Sequence, residues 1–504
     1  MSLQPFQAVN PANGLAFGAE YPEQSHAEVA SNINRAAGVR ESFAALTLSA
    51  RADLLEAIAA EVENARSPLV SLANLETGLP EARINGEISR TIVQLQLFAA
   101  MVRTGVHLGA TIDLADPAYK PVARPDMRKV NLPIGVVAVF GASNFPFAYS
   151  VIGGDSAAAL AAGCPVVVKA HPSHPGTSLL TFQAVQSALL LQGLSPDIFT
   201  MVQGRSPEIT HWIALADDVA AVGFTGSALV GQLLVDLSHS RAVPIPVFAE
   251  MGSLNPIFIT AAALEERATT MGESLFDSAT LGSGQFCTKP GLIFLGGESA
   301  QFIAALRNKM GSVGTQPLLN KGISERYNTV VSALAKHPGV ETIVGDVSNQ
   351  GFIVQPTIFI LDYQMYKSNP EFSHEHFGPT TVVVKCEESD FAEIIARAEG
   401  QLTATLHLAS GEYRPELVTS LSAIAGRVIL NGAPTGVSVS AAQNHGGPWP
   451  SSSTHTTSVG TDAIYRFMRP VTFQGFPDEL LPAALASGNP EKIERIVNGV
   501  RGLN

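Results

Sequence analysis

Short apolar runs that alternate with helix-compatible segments are the feature that most constrains how this chain can fold. In the first half these runs occupy residues 135–141, 165–169, 199–202, 220–224 and 246–250. Alternation of this kind is typical of a parallel sheet whose strands are joined by crossover helices. The pattern therefore predicts an α/β fold.

A second series of the same kind begins after Asn255. Its apolar runs are PIFI, GLIFLG, IVQPTIFIL, TTVVVKC, LTATLHLA and RVILNG. A chain of 504 residues is also too long for one hydrophobic core. We therefore predict two tandem α/β domains, the first comprising residues 1–114 and 134–252 and the second residues 253–445.

Three further segments have their own patterns. Residues 27–102 show the three-and-four spacing of amphipathic helices. Residues 115–133 carry several prolines and charges, and RFMRPVTF within residues 461–480 alternates like an edge strand. We expect these last two segments to pair as a small β arm, followed by a C-terminal tail at residues 481–504.

Composition excludes several classes of function. The net charge is −13, from 31 Lys+Arg against 44 Asp+Glu, and no basic run is present, which argues against nucleic-acid or anionic-membrane partners. The longest apolar stretch, residues 157–168, is too short to span a bilayer, and the N-terminus lacks a signal-peptide pattern. We therefore expect a cytoplasmic protein.

The cysteines point the same way. Cys164, Cys287 and Cys386 form no CxxC pair, so neither a disulfide scaffold nor a structural zinc site is expected, and no metal is predicted. Cys164 and Cys386 stand beside apolar runs, where a buried structural role is the usual one.

Polar residues follow four strands of the first series. They are Asn144, Lys169, Thr225–Ser227 and Glu250. Ligands of such sheets bind beyond the C-terminal ends of the strands, so these residues predict a binding site. Between Thr225 and Gly231, glycines that open a helix could admit a diphosphate, although simple helix capping explains the same residues.

Two residues offer catalytic chemistry. Cys287 lies in the small-residue turn GSGQFCTKP, which would let a substrate approach a reactive thiol, whereas a buried inert cysteine is the alternative. Glu250 ends its strand and could activate water as a general base, or it could simply cap the next segment.

Six motifs resemble the aldehyde dehydrogenase superfamily and occur in its order. They are FGASNFPFAYS, VVVKAHPSHPGTS, FTGSxxxG, EMGSLNP, GQFCTKPG and HEHFGP, and the resemblance spans the chain from Asn10 to Pro379. The stretches around residues 143–178 and NHGGPWPSSSTHTTSVG are most similar to the 2-oxoglutarate semialdehyde (2,5-dioxopentanoate) dehydrogenases, with the NADP-dependent fatty aldehyde dehydrogenases close by.

The resemblance implies a Rossmann-like cofactor domain, a catalytic thiol domain and NAD(P)-dependent oxidation of an aldehyde to a carboxylic acid. It implies Cys287 as nucleophile, Asn144 as a donor to the oxyanion and Glu250 as the base that hydrolyses a thioester. The implied cofactor-binding residues are Lys169, His171, Ser173, Arg205, Thr225, Gly226, Ser227, Gly231, Glu375 and Phe377.

The sequence departs from the family pattern after Lys169. A glutamate that binds the adenosine ribose is common there, but this chain has AHPSH instead. Its absence removes repulsion of a 2′-phosphate, and Arg205 could supply a complementary charge or be a solvated loop arginine. We therefore expect NADP or NAD as cofactor, with NADP slightly favoured. Gly-Ser also replaces the usual Gly-Gly after Glu250.

The substrate pocket is predicted only in outline. The candidate pocket residues are Phe145, Phe147, Phe286, Lys289 and Trp449. A cation for an aldehyde acid could be Lys289, Arg124 or Arg128, whereas the aromatic residues would also suit a medium- or long-chain aliphatic aldehyde.

Other readings remain as alternatives. A non-catalytic structural protein of this fold is the remote one, because the implied catalytic residues are all present. A serine hydrolase would need a GxSxG elbow, which is absent, and His374-Glu375-His376 lacks the HExxH spacing of a metalloprotease. By resemblance, the arm and the C-terminal strands predict a homodimer or homotetramer.

Overall fold

A hairpin and five helices form the N-terminal part of the molecule. The computed structural model describes residues 4–314, 316–347 and 350–503. The predicted helical segment is confirmed, since helices occupy almost all of residues 26–104. The elements are β1 (Phe6–Asn10), β2 (Leu15–Tyr21), α1 (His26–Gly38), α2 (Arg40–Ala44), α3 (Leu48–Asn64), α4 (Arg66–Thr77), α5 (Glu81–Thr104), β3 (Thr111–Asp113) and β4 (Met127–Pro133).

The first α/β unit is built on a five-stranded parallel sheet. All five predicted strands are present, and their order is β7-β6-β5-β8-β9. From β5 the chain adds β6 and β7 on one side of the sheet and then β8 and β9 on the other side. The point between β5 and β8, where the direction changes, leaves a crevice at the C-terminal strand ends. The elements are β5 (Val136–Phe140), α6 (Gly154–Ala162), β6 (Val166–Lys169), α7 (Pro175–Leu191), β7 (Phe199–Val202), α8 (Pro207–Ala214), β8 (Val219–Thr225), α9 (Ala228–Ser240) and β9 (Val247–Glu250).

The second unit contains a seven-stranded sheet in the order β12-β13-β14-β11-β10-β15-β16. Six strands match the predicted apolar runs; β12 was missed because its residues Glu341–Val344 are half polar and lie antiparallel at an edge. The elements are β10 (Ile257–Thr260), α10 (Ala261–Thr280), β11 (Leu292–Gly296), α11 (Ala300–Met310), α12 (Lys321–Leu334), β12 (Glu341–Val344), β13 (Thr357–Asp362), α13 (Tyr363–Ser368), β14 (Thr380–Lys385), α14 (Phe391–Arg397), β15 (Gln401–His407), α15 (Pro415–Ile424) and β16 (Ala425–Leu430).

The predicted pairing of the arm with the C-terminal segment is confirmed. Strand β17 (Met468–Gln474) pairs antiparallel with β4, from Met468 opposite Pro133 to Gln474 opposite Met127. The residues treated as a separate tail instead extend the same sheet, as β18 (Arg495–Val497) and β19 (Val500–Gly502), in the order β17-β4-β3-β18-β19. The tail belongs to the arm sheet because β18 pairs with β3, and Ile493, just before β18, is buried.

No helix within the described residues is both long and apolar enough to cross a membrane.

Candidate active site

A cavity of about 630 Å³ lies at the C-terminal ends of the first sheet. Phe140, Lys169 and Thr225 reach it from β5, β6 and β8, at the switch point of the sheet. Cys287 and Glu375 line it from the second unit. The cavity therefore brings together predicted residues from both α/β units.

The turn before Cys287 brings the thiol to the cavity. Gly282, Ser283 and Gly284 all have left-handed backbone conformations, with φ of 56°, 55° and 65°. A Cβ at Gly284 would clash with the carbonyl oxygen of Gly378, so the tight approach requires glycine there. Cys287 follows this turn half-buried, with its side chain on the cavity wall.

The thiol of Cys287 is held in its neutral form. Burial raises the pKa of Cys287 well above its ordinary value, and the charges of Glu250 and Glu375 add to the rise. Because the thiolate is the nucleophile, the site needs a nearby group that can take the proton.

His445 lies within reach of the thiol, and it was not among the predicted residues. Its Nε2 lies 3.5 Å from Sγ of Cys287 and 3.5 Å from Oε1 of Glu250. Thr457 fixes the histidine by accepting a hydrogen bond of 2.8 Å from its backbone N–H. The signal in the sequence was the unusual segment NHGGPWPSSS, which starts at Asn444 and replaces the usual family segment.

Glu250 is the third member of this cluster. Its side chain is 3% exposed, and neither carboxylate oxygen accepts a hydrogen bond from the described residues. A buried carboxylate without donors is costly, so a polar partner such as a water molecule is expected to meet it. The ligand atoms of Glu250, Cys287 and His445 lie within 4.8 Å of one another, so the same set could also hold a metal ion.

Asn144 lies beside the thiol turn. Its Nδ2 donates to the carbonyl oxygen of Gln285 at 3.0 Å, and its own carbonyl oxygen accepts a hydrogen bond of 2.7 Å from Arg83. Asn144 lines the cavity together with Cys287. The amide is thus held beside the thiol, where one donor hydrogen remains for an oxyanion.

Most of the predicted cofactor-binding residues line the cavity. The exceptions are Ser173, whose hydroxyl accepts a hydrogen bond of 3.1 Å from the cavity residue Asn320, and Gly231. Gly231 lies one turn into α9, where a Cβ would clash with the sulfur of Met251, so it permits packing and does not face the cavity. The residues in the lining are Lys169, His171, Arg205, Thr225, Gly226, Ser227, Glu375 and Phe377.

Three cations stand along this cavity. Burial lowers the pKa of Lys169 to about 8, and its Nζ donates to the carbonyl oxygens of Ala170 and Gly204. Arg205 is exposed and lies over the ring of Phe6, with 5.1 Å between its guanidinium carbon and the ring centroid. Arg326, which the sequence analysis did not single out, lines the cavity from α12.

Lys289 does not face a substrate. Its Nζ donates to the carbonyl oxygens of His376 at 2.8 Å and Thr380 at 2.7 Å, and its side chain is buried. Burial raises the pKa of Glu375, and the charge of Lys289 opposes that rise. Lys289 therefore supports the loop that carries Glu375. The prediction that it lines the substrate pocket was wrong, because its Nζ is bound to backbone carbonyls and it does not line the cavity.

The predicted aromatic wall is only partly present. The ring of Phe145 meets those of Phe286 at 5.3 Å and Tyr149 at 5.2 Å, both edge-on. Phe147 is instead fully buried in the core, and Trp449 is 53% exposed at the surface. The prediction that Phe147 lines the pocket was wrong. Its backbone N–H donates to the Glu87 carboxylate, and its side chain lies in the core.

The two distant arginines are also engaged elsewhere. Arg128 donates to the carboxylates of Asp126 and Asp478 in the arm sheet, each at 2.9 Å. Arg124 donates to Leu114 and Asn498 in the same region. Neither is available to a substrate of Cys287.

Comparison with known proteins gives the family of this architecture. A family model described as "Aldehyde dehydrogenase family" matches residues 2–472. The chain is 41% identical to alpha-ketoglutaric semialdehyde dehydrogenase 2 of Azospirillum brasilense, covering 98% of this chain and 95% of that protein. It is 43% identical to alpha-ketoglutaric semialdehyde dehydrogenase of Acinetobacter baylyi, covering 91% and 88%.

Solved structures share the fold. Glyceraldehyde-3-phosphate dehydrogenase GapN of Methanocaldococcus jannaschii, complexed with NADP, aligns with a TM-score of 0.80 at 19% identity, covering 94% of this chain and 99% of that one. An NAD⁺ complex of aldehyde dehydrogenase from Bacillus cereus aligns with a TM-score of 0.78 at 24% identity, covering 93% of both chains.

Proposed function

The chain belongs to the aldehyde dehydrogenase family, and on that premise we propose that it oxidises 2,5-dioxopentanoate (2-oxoglutarate semialdehyde) to 2-oxoglutarate with NADP or NAD. The reaction consumes the aldehyde, one water and one oxidised cofactor, and yields the carboxylate, the reduced cofactor and two protons. The observation that carries this proposal is the convergence of Cys287, Glu250 and Asn144 at one cavity, with His445 within 3.5 Å of the first two. The semialdehyde named for the two relatives supplies the substrate.

Nucleophilic attack begins with removal of the proton from Cys287. Because burial raises the pKa of this thiol, attack depends on a base, and His445 Nε2 stands 3.5 Å from the sulfur. Attack on the aldehyde carbon gives a tetrahedral adduct with a developing oxyanion. The Asn144 amide would stabilise that charge, and one such donor is commonly worth about 2.7–4 kcal/mol.

Oxidation requires a hydride acceptor, and the cavity fits one. Its volume of about 630 Å³ lies within the range of ligand pockets. Ser227 caps α9 by accepting a hydrogen bond from the Val230 N–H, so the positive end of this helix faces the cavity and suits a diphosphate. A bound nicotinamide dinucleotide would supply the hydride acceptor that turns the adduct into a thioester.

Hydrolysis then falls to Glu250. Its carboxylate is buried without donors and lies near the sulfur, so it can take a proton from a water molecule that attacks the thioester. His445, 3.5 Å from the same carboxylate, can return a proton to the departing thiolate. The acid leaves and the thiol is restored.

The preference for NADP over NAD is part of the proposal. Lys169, Arg205 and Arg326 line the cavity, and Pro172 fills the position at which the family pattern Lys-Pro-(Ser/Ala)-Glu has a glutamate that would repel a 2′-phosphate. Cationic residues without that carboxylate favour the additional phosphate.

A medium- or long-chain aliphatic aldehyde is the second candidate substrate. The edge-on contacts of Phe145 with Phe286 and Tyr149 form an apolar wall close to the thiol turn, and such a wall would suit an alkyl chain.

Steady-state kinetics separate the two candidates. Formation of reduced cofactor is measured with 2,5-dioxopentanoate and with octanal, each with NAD and NADP, and Cys287→Ser serves as the blank. We expect the higher kcat/KM with the oxo-acid and with NADP. A higher kcat/KM for octanal would discard the semialdehyde, and a strong preference for NAD would discard the 2′-phosphate site.

We also propose a cytoplasmic homodimer or homotetramer in which the arm sheet takes part in assembly. The proposed domain boundaries are residues 1–114 with 134–252, residues 253–445, and residues 115–133 with 461–480, the last unit being extended by the C-terminal strands β18 and β19. Two exposed apolar residues support an interface, Val500 in that sheet and Val122 in the loop before β4. Light scattering coupled to size exclusion would give the subunit number; a monomer would contradict this part.

A further inference from the structure

An aldehyde that carries a carboxylate needs a cation at the far end of its pocket, and the following inference rests on the proposed function. Four cationic side chains influence the surroundings of Cys287 through contacts or charge: Lys289, Arg83, Arg90 and Arg427. Within the described part of the chain, none of the three arginines forms a salt bridge with a carboxylate. The question is which one has a donor that a substrate can reach.

Arg83 is already occupied. Its guanidinium carbon lies 4.4 Å from the ring centroid of Phe286 and 5.0 Å from that of Phe145. One terminal nitrogen donates to the carbonyl oxygen of Asn144, and the other is buried against Gly282, where a Cβ would clash with it. Arg83 therefore positions the backbone of Asn144 and offers no accessible donor.

Arg427 is engaged in the same way. Its two terminal nitrogens donate to the carbonyl oxygens of Gly436 at 2.9 Å and Pro434 at 2.6 Å, and its Nε is buried. Those contacts order the loop at residues 434–439, which we call the cover loop. Lys289 donates to two backbone carbonyls and is buried behind Glu375.

Arg90 differs because a terminal nitrogen is left over. It projects from α5; its Nε donates to the carbonyl oxygen of Val437 at 3.2 Å, and one terminal nitrogen donates to the hydroxyl of Tyr149 at 3.0 Å. The second terminal nitrogen is neither bonded nor among the buried unpaired atoms. The guanidinium carbon lies 5.0 Å from the Tyr149 ring centroid, so the group is fixed in orientation.

Both anchors of Arg90 lead to the catalytic cysteine. The ring of Tyr149 lies 6.0 Å from the ring of His445, which contacts the Cys287 sulfur. The cover loop is tied to the residue after the cysteine, since the Gly436 N–H donates to the Thr288 hydroxyl at 3.2 Å. Arg90 thus lies close enough to Cys287 for its charge to act on the thiol, between two elements that contact the cysteine's neighbours.

We propose that Arg90 binds the carboxylate of the substrate, with the Tyr149 hydroxyl as a second donor. A guanidinium matches a carboxylate in charge and geometry, and Tyr149, which accepts a hydrogen bond from Arg90, still has its own hydrogen to donate. The pair selects aldehyde acids and holds the carboxylate end away from Cys287, so that the aldehyde faces the sulfur.

The test compares 2,5-dioxopentanoate with pentanal, which has the same chain length and no charge. In Arg90→Met we expect kcat/KM for the oxo-acid to fall about 100-fold, mostly through KM, because a carboxylate contact acts in ground and transition state alike. The value for pentanal should fall much less, only by the amount that loss of the Arg90 charge near Cys287 costs both substrates. Arg90→Lys should recover part of the oxo-acid activity, since it keeps the charge and loses the planar fork.

Arg103→Met is the matched control. Arg103 lies on the same helix but pairs with Asp53 and Glu56 at the surface, so its loss should leave both substrates unchanged. Tyr149→Phe removes only the hydroxyl, and it should lower kcat/KM for the oxo-acid several-fold while lowering that for pentanal far less. Binding of NADP serves as the check that a variant has folded. If Arg90→Met fails this check, Tyr149→Phe still tests the proposal independently.

Three results would overturn the assignment. The first is an equal loss of kcat/KM for both substrates in Arg90→Met, which would mean that the charge acts only on the Cys287 thiol. The second is an unchanged KM for the oxo-acid in Arg90→Met. The third is an unchanged ratio of kcat/KM for the two substrates in Tyr149→Phe. Failure of the proposed function is seen separately, in the wild-type protein, as the lack of any preference for 2,5-dioxopentanoate over pentanal.

Discussion

At the scale of single residues, the protonation of Cys287 decides when the enzyme can attack an aldehyde. Burial, reinforced by Glu250 and Glu375, raises the pKa of this thiol. A raised pKa keeps the thiol neutral at pH 7, and the thiolate fraction grows as the pH rises through and beyond the ordinary cysteine range. In the proposed mechanism, His445 therefore acts at the moment of attack.

We predict that His445→Asn slows alkylation of Cys287 by iodoacetamide about tenfold or more at pH 7, with a smaller deficit above pH 9. The deficit shrinks because hydroxide takes over removal of the proton. Mass spectrometry of the Cys287 peptide gives the rate, and the wild-type rate should still be rising above pH 9. A wild-type plateau below pH 8 would contradict the raised pKa.

In the proposed mechanism Glu250 acts in the later hydrolysis, so its variant should separate the two half-reactions. In Glu250→Gln we expect a rapid burst of about one reduced cofactor per subunit, followed by turnover slowed about 10²–10⁴-fold, the usual contribution of a general base. Alkylation of Cys287 at pH 8 should become faster, since a negative charge that raises its pKa is removed. Stopped-flow absorbance measures the burst; loss of the burst itself would assign Glu250 to the attack step instead.

At the scale of elements, the turn at residues 282–284 connects α10 to the thiol and packs against the loop that carries Glu375. The left-handed φ of 65° at Gly284 and its contact with Gly378 leave no room for a side chain. The two loops of the site can therefore approach only through backbone atoms.

We predict that Gly284→Ala lowers activity at least tenfold and destabilises the protein by about 1–3 kcal/mol, the range for backbone strain at such sites. Gly18→Ala is the control, because Gly18 has φ of 73° and no atom within 4 Å of the added Cβ. Both substitutions carry the left-handed penalty, but only the first adds a clash. Equal effects on activity and melting temperature would show that the contact with Gly378 is unimportant.

At the scale of the whole molecule, the C-terminal residues close the arm sheet onto the main core. Ile493 is 1% exposed, packs within the largest core cluster and contacts the site of Gly105 at the end of α5. Helix α5 also carries Arg83 and Arg90, so the arm supports the element that lines the active site.

We predict that Ile493→Ala lowers the free energy of unfolding by about 2–4 kcal/mol, through lost burial and the resulting cavity. Val243→Ala, in the loop between α9 and β9 and 73% exposed, should change it by less than about 0.5 kcal/mol. Thermal unfolding followed by circular dichroism compares the two. Equal midpoints would mean that the C-terminal strands do not contribute to the core.

The sequence by itself determined the elements and the family of the chain. Apolar runs such as residues 166–169 and 292–296 are strands because β-branched and aromatic residues pack well on a buried sheet, and this preference is local. Edge strand β12 and the tail strands escaped prediction, because short, half-polar segments become strands only when a partner strand is present.

Only the tertiary structure decided which side chains meet at the thiol. His445 is 158 residues from Cys287 in sequence, and Arg90 is 347 residues from Val437. No local pattern separates them from any other buried histidine or helical arginine. Conversely, Lys289 follows Cys287 by only two residues, yet its Nζ donates to the carbonyl oxygens of His376 and Thr380. Side-chain direction and long-range proximity depend on how the two α/β units and the cover loop pack together, and that packing is a property of the folded chain as a whole.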